Sequence, residues 1–382
     1  MSGPERMLSR AFALAFVSHF LHALSFNLYL HFPGFLKQLG ATELLIGVIS
    51  GVTAATSIAA RPVLGRVLDL RGRRFVIVAG GALSVVVCAL YLTLTALGPW
   101  VYIVRALHGV SEAMLFASLF AYAADIVPAT RRIEGIALFG VSGMLPAGLG
   151  GLLGDALLAR GGFPMLFATS IGCSPLALLL SLPLREAPRS GGEAPRGLVA
   201  AMTQRNLLPL WFAGIVFATT LAAHYTFLKT FVLTTGFGSV GLFFTAYSVA
   251  AVLLRLTMAR LPERVGPKRV LAPALASMAA GFVVLATARG GAAVGVAGAL
   301  CGLGHGFTFP ILLGLVVSRS RPSERGAALA VFTALFDGGT LIGGPALGVV
   351  IREAGYGAMF LTAAGLITLG GGVFAVWDRR SA

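Results

Sequence analysis

Arg105, His108 and Glu112 stand at positions i, i+3 and i+7 of one apolar stretch. On a helix, at about 100° per residue, they fall within about 60° of arc and form one polar stripe. Glu112 lies about 10 Å along the axis from Arg105, too far for a direct intrahelical salt bridge. Its partner is therefore His108, another helix, water or a proton. A carboxylate in the middle of an apolar stretch is costly to ionise, so the stripe is suited to carrying a proton. Asp337 lies in the middle of a later apolar stretch, as either a second proton site or an acceptor in helix packing. The six histidines, His19, His22, His31, His108, His224 and His305, also fall in apolar stretches. Ionisable side chains at such positions face a protein interior or a water-filled cavity. His31, near the end of its stretch, is the expected exception. Lys229 and Arg255 are cations that an anionic solute could use.

The elements that must hold these residues are helices in lipid. The chain of 382 residues is 57% hydrophobic and only 11% charged, where a soluble domain carries roughly 25% charge. So few charges cannot coat a water-exposed surface. Twelve apolar stretches can be drawn, at about 11–32, 42–64, 75–97, 100–124, 135–158, 163–184, 207–234, 239–259, 270–288, 292–317, 327–351 and 356–377. Each approaches the ~20 residues a helix needs to cross a bilayer. They are continuously apolar rather than alternating, which predicts helices and not barrel strands. The first stretch is read as an uncleaved helix, because His19 and His22 interrupt it and no small-x-small cleavage site follows. The histidines then fall on helices 1, 4, 7 and 10, and Asp337 on helix 11.

The net charge of +15 reflects topology rather than nucleic-acid binding. Twenty-one Lys and Arg lie in the tails and alternate loops, against four in the opposite loops, Lys37, Arg160, Arg289 and Arg352. The positive-inside rule then places both termini in the cytoplasm of a bacterial-type inner membrane. Three cysteines, all in apolar stretches, do not make a disulfide framework. No phosphate-binding loop or zinc motif is present, so no cofactor or metal is expected.

The segment 185–205 contains Glu-Ala-Pro-Arg-Ser-Gly-Gly-Glu-Ala-Pro-Arg-Gly and reads as a cytoplasmic linker between a 1–184 bundle and a 206–382 bundle. The two halves repeat. At an offset of 194, Arg61, Arg66, Asp69, Gly72 and Arg74 match Arg255, Arg260, Glu263, Gly266 and Lys268. At 193, Gly109, Phe139 and Gly150-Gly151 match Gly302, Phe332 and Gly343-Gly344, and Gly162-Phe163 matches Gly355-Tyr356. Parallel six-helix repeats are a transporter architecture with a solute site at their interface.

Between helices 2 and 3 the chain reads Gly65-Arg-Val-Leu-Asp69-Leu-Arg-Gly72-Arg73-Arg74. This resembles the loop motif of the major facilitator superfamily, Gly-x-Leu-x-Asp-Arg/Lys-x-Gly-Arg/Lys-Arg/Lys. Val67 and Leu70 depart from it. A weaker second copy holds Glu263, Gly266 and Lys268. Arg105-Ala-Leu-His-Gly109 resembles the family's helix-4 motif. The helix-5 run through Gly140, Gly143, Pro146, Gly148, Gly150 and Gly151 resembles the Gly/Pro motif of antiporters, with Leu145 out of pattern. Gly343, Gly344 and Pro345 occupy the matching part of helix 11.

The resemblance implies an all-α membrane fold of twelve helices in two pseudo-symmetric bundles. Helices 1, 4, 7 and 10 would line the pathway, and Asp69 with its neighbouring arginines would gate the cytoplasmic mouth. Arg255, as the repeat-mate of Arg61, is expected to play a structural role there. The expected activity is proton-coupled efflux of a small drug-like or amphipathic solute by a monomer. Uptake of a nutrient is the alternative within this class. An intramembrane lipid-modifying enzyme is the alternative outside it, disfavoured because one active site does not call for twofold gating loops.

Overall fold

The computed structural model describes residues 9–128, 132–186, 202–258, 261–321 and 325–381. The Asp69 and Arg66 side chains and most of the 185–205 segment lie outside the described residues. In lipid every backbone N–H and C=O must be satisfied within the segment, which selects helix, and the described residues are helical without a strand. Ten continuous stretches are long and apolar enough to cross a bilayer. Two of them each contain a break, at Gly162 (φ 63°) and Gly355 (φ 81°). These positive φ values favour glycine, and the two glycines are repeat-mates. Dividing both stretches there gives the twelve expected helices.

They are α1 (Arg10–Gln38), α2 (Glu43–Arg71), α3 (Arg73–Leu90), α4 (Pro99–Ile126), α5 (132–161), α6 (163–181), α7 (Leu208–Thr235), α8 (Val240–Met258), α9 (Pro267–Ala286), α10 (Gly291–Arg319), α11 (325–354) and α12 (356–381). Local chemistry sets several ends. Ser9 Oγ accepts from the Phe12 N–H at the start of α1, and Thr42 Oγ1 accepts from the Leu45 N–H at the start of α2. Both satisfy donors that a first turn leaves open. Leu256, Leu369 and Leu179 are 74%, 72% and 60% exposed, as lipid-facing side chains should be.

The repeat is realised in packing. In the first half α4 lies against α2 so closely that a Cβ on Gly109 would stand 2.2 Å from the Thr53 carbonyl oxygen. In the second, a Cβ on Gly302 would stand 2.2 Å from the Tyr247 carbonyl oxygen. Thr53 and Tyr247 are themselves 194 apart. The halves meet along two related seams, α2 with α11 and α5 with α8. Small residues let these backbones approach: Gly47 abuts Gly344, and Gly151 abuts Val240 and Gly241.

Candidate functional site

The polar stripe of α4 divides in two. Arg105 and His108 turn to Tyr91, in the 3-10 turn that follows α3, where Arg105 Nη1 donates to the Tyr91 hydroxyl at 3.1 Å and His108 Nδ1 meets the same oxygen at 2.8 Å. The Arg105 guanidinium also lies 5.3 Å from the centre of the Phe32 ring, a cation–π arrangement. Arg105 and His108 are buried. Glu112 takes no part in this network. It is half-buried, forms no hydrogen bond or ion pair among the described residues, and lies within electrostatic reach of Asp337 on α11. The difference comes from level: Tyr91 sits opposite the first turn of the stripe, whereas Glu112 lies two turns further along.

Asp337 is a packing acceptor and more. Its Oδ2 takes the Arg61 guanidinium of α2 in an ion pair and a hydrogen bond of 3.1 Å from Ser57 Oγ. Arg61 also donates to Thr333 Oγ1. A charge placed this deep requires such a partner, and here the partner comes from the other half of the chain.

The histidines are mostly enclosed in this conformation. His19 Nδ1 is 2.7 Å from Ser142 Oγ and packs among Phe116, Phe120 and Phe139. His22 faces Gly81 and stays within its own half, with neither ring nitrogen bonded. His224 is caged by Tyr225, Phe243, Phe244, Tyr247 and Phe282, again with both nitrogens unbonded. His305 alone keeps partial exposure, and its Nδ1 meets the Tyr247 hydroxyl. His31, the expected exception, is fully buried and bonds Asp155 Oδ1 through Nε2 at 2.9 Å.

At the basic end, Gly72 (φ 90°) makes the turn from α2 into α3. Glu186 caps α3 by accepting from the Arg73 and Arg74 backbone N–H groups at 2.7 and 3.0 Å. The Arg73 side chain donates to Asp125 of α4 at 2.9 Å. Arg74 donates to the Leu184 and Leu182 carbonyls at the end of α6. These arginines therefore do more than mark topology. Gly65 has open space around its Cβ direction. In the second copy, Gly266 (φ 102°) makes the turn, Glu263 sits on the short helix Leu261–Val265, and Lys268 pairs with Asp378 of α12 together with Arg319 of α10.

The opposite end is where the halves are sealed. Asp155 of α5 holds His31 through one oxygen and accepts from the Gly241 N–H of α8 at 2.6 Å through the other. Gly348 of α11 packs on Glu43 and Leu44. Among the Gly/Pro positions, Gly143 faces His19, Gly150 faces Asn27, Gly343 faces Thr219 and Gly344 faces Gly47. Pro146 and Pro345 lie within α5 and α11. These glycines serve close helix contact. A recess of about 480 Å³ lined by Leu45, Ile49, Leu97, Gly98, Pro99 and Tyr102 is apolar and offers no acid–base chemistry.

Asp155, Glu186, Asp378 and Tyr91 were not singled out in the sequence. Each works through a partner distant in the chain, and only the Tyr91 position, at the end of an apolar stretch, carried even a weak signal.

The profile of the Major Facilitator Superfamily matches residues 14–240 and again 210–382. An uncharacterized MFS-type transporter of Salmonella typhimurium is 26% identical over 353 residues, covering 90% of each chain. The uncharacterized MFS-type transporter YhhS of Escherichia coli is 25% identical over 351 residues, covering 88% of this chain and 84% of its own. Among solved structures, a POT family transporter superposes with a TM-score of 0.80 at 13% identity, covering 99% of both chains. The nucleoside transporter NupG superposes with a TM-score of 0.79 at 14% identity, covering 96% of this chain and 99% of its own. At these identities the superpositions speak for the fold alone. With repeated loops, seams and kinks in place and both halves matched, the chain belongs to the Major Facilitator Superfamily of membrane transporters.

Proposed function

We propose that this transporter couples export of a small amphipathic solute to protons, with Glu112 as the proton carrier. The observation that supports this most is the contrast between its two mid-membrane carboxylates. Asp337 is neutralised by Arg61, whereas Glu112 has no partner among the described residues. Placing a charged Asp, Lys or Arg at a helix centre costs about 2.5–3.5 kcal/mol on insertion scales. Opening to water, or approach of a cation, offsets that cost. Alternation between two access states therefore changes the proton affinity of Glu112, which is what coupling requires. The α5 Gly/Pro pattern supports exchange rather than co-transport, hence efflux.

The charge asymmetry supports cytoplasmic termini and a cytoplasmic 185–205 connector between a 1–184 unit and a 206–382 unit. In that orientation the Asp155–Gly241 and Gly47–Gly344 contacts close the outer end. The test uses a solute that raises the melting temperature of the purified protein, since binding stabilises by mass action. In proteoliposomes loaded with a pH-reporting dye, a gradient of that solute should drive protons in the opposite direction. Protons moving with the solute would make the protein an importer. Solute movement with no proton movement would refute coupling.

A further inference from the structure

Arg61 and Arg255 are repeat-mates, yet among the described residues only Arg61 has a counter-ion. Arg61 is held by Thr333 and Asp337, and Ser57 donates to the same Asp337 oxygen. The matching positions around Arg255 are Ala251, Gly140 and Met144, at the same offsets of 194 and 193 that relate Gly47–Gly344 to Gly241–Gly151. Every polar group of the first cage is thus missing from the second. The register is real at this seam: Met144 lies on the part of α5 packed on α8, its carbonyl accepting from Ser248 Oγ at 3.2 Å. A Cβ on Gly140, where the other half has Thr333, would meet nothing within 4 Å. The second seam therefore has a guanidinium, a methionine and open space beside Gly140 where the first has a guanidinium, a carboxylate and a threonine.

What surrounds Arg255 is rich in donors. Its Nε donates to the Gly306 carbonyl at 3.3 Å, its only hydrogen bond among the described residues. The titratable groups within its electrostatic reach are Tyr247 and His305. Tyr225 donates to Tyr247 at 3.4 Å, and Tyr247 in turn meets His305. A half-buried guanidinium with no carboxylate partner among the described residues is an electrostatic deficit that an anion would relieve, and its planar fork suits two acceptor oxygens. The geometry points to Arg255 as the anchor for an anionic group, a carboxylate, phosphate or sulfonate, on the transported solute. This gives Arg255 a binding role in place of the structural one expected from its sequence position. The inference deepens the transport reading and rests on the solute entering between the halves, not on proton coupling. It also agrees with export, because an inside-negative membrane drives anions outward.

The test measures binding to the purified protein in phosphatidylcholine nanodiscs, without a pH gradient, so a failure of coupling leaves the result unaltered. The probes are 1-naphthoate, neutral 1-naphthamide and cationic 1-naphthylmethylammonium. Naphthoate should bind saturably and at least about tenfold more tightly than the amide, as a charge-assisted pair requires. Arg255→Gln should reduce it to the level of the amide. Met144→Asp, which keeps Arg255 and supplies the missing counter-ion, should do the same while remaining folded and monodisperse. Arg289→Gln, at an exposed cation near the opposite end, should change nothing. No saturable naphthoate binding, preference for the amide or ammonium probe, or full binding retained in Met144→Asp overturns the assignment. Displacement of naphthoate by added phosphatidylglycerol gives the site to a lipid headgroup and overturns the solute assignment as well.

Discussion

Arg61 on α2 and Asp337 on α11 meet as an ion pair that joins the two halves of the chain, with Ser57 and Thr333 completing the contact. Removing one partner of a fully buried pair costs about 3–5 kcal/mol, while exposed pairs are worth about 0–1. These side chains are 29% and 23% exposed, so Asp337→Asn is expected to cost about 2 kcal/mol, between those limits. The double variant Arg61→Gln with Asp337→Asn should lose less than the sum of the single losses, because it leaves no orphaned charge. Thermal unfolding of all three variants decides this. Additive losses would mean the two residues act separately.

The close approach of Gly47 and Gly344 predicts a conformational effect. A Cβ on Gly47 would stand 2.2 Å from the Gly344 carbonyl oxygen, so Gly47→Val must push α2 from α11 at the sealed end. Overpacking costs about 1–3 kcal/mol, enough to shift a two-state balance by about fivefold to about 150-fold. Spin labels at Gln38 and Glu353 should report a longer distance in Gly47→Val. Gly365→Ala, whose Cβ meets nothing within 4 Å, should leave the distance unchanged. An unaltered distribution in Gly47→Val would show that this contact does not hold the seal.

Glu186 accepts the first two backbone N–H groups of α3. Loss of an N-terminal cap typically costs about 1 kcal/mol. Glu186→Ala should lower stability by about that amount and loosen the tie between α3 and the end of α6. Hydrogen exchange of the Arg73 and Arg74 amides should accelerate. Unchanged protection would assign the capping to another group.

How far the chain could be read in advance depended on the range of the interaction. Hydropathy located twelve helices because lipid imposes one requirement on every span. The repeat also paired Gly162 with Gly355, and the structure shows both as breaks with positive φ in otherwise continuous helix. Interactions across helices were less legible. Arg61 and Asp337 are both visible in the sequence, but their pairing spans 276 residues and follows only from the α2–α11 seam. Helical spacing put three polar residues on one stripe of α4, but spacing alone could not tell that Tyr91 would claim Arg105 and His108 and leave Glu112. Asp155 gave no signal because its partners, His31 and the Gly241 amide, belong to helices it meets only in the fold. The histidines form a pattern in the sequence, but burial rather than exposure is what most of them share.

Orientation rests on 21 basic residues against four. A single cysteine at Gly191, in a variant lacking the three native cysteines, should react with a membrane-impermeant reagent only in inside-out vesicles. Labelling in right-side-out cells would invert the topology, and with it the identity of the sealed end.

The central claim is that Glu112 carries the coupling proton, and Glu112→Gln tests it most directly. The substitution preserves shape and hydrogen bonding but fixes the neutral state. In proteoliposomes the variant should bind the stabilising solute and exchange it across the membrane at rates close to the parent protein. It should fail to concentrate that solute when a pH gradient is the only driving force. If Glu112→Gln still builds a solute gradient from ΔpH alone, the assignment is wrong, and the proton must travel through another group, with Asp337 the next carboxylate in line.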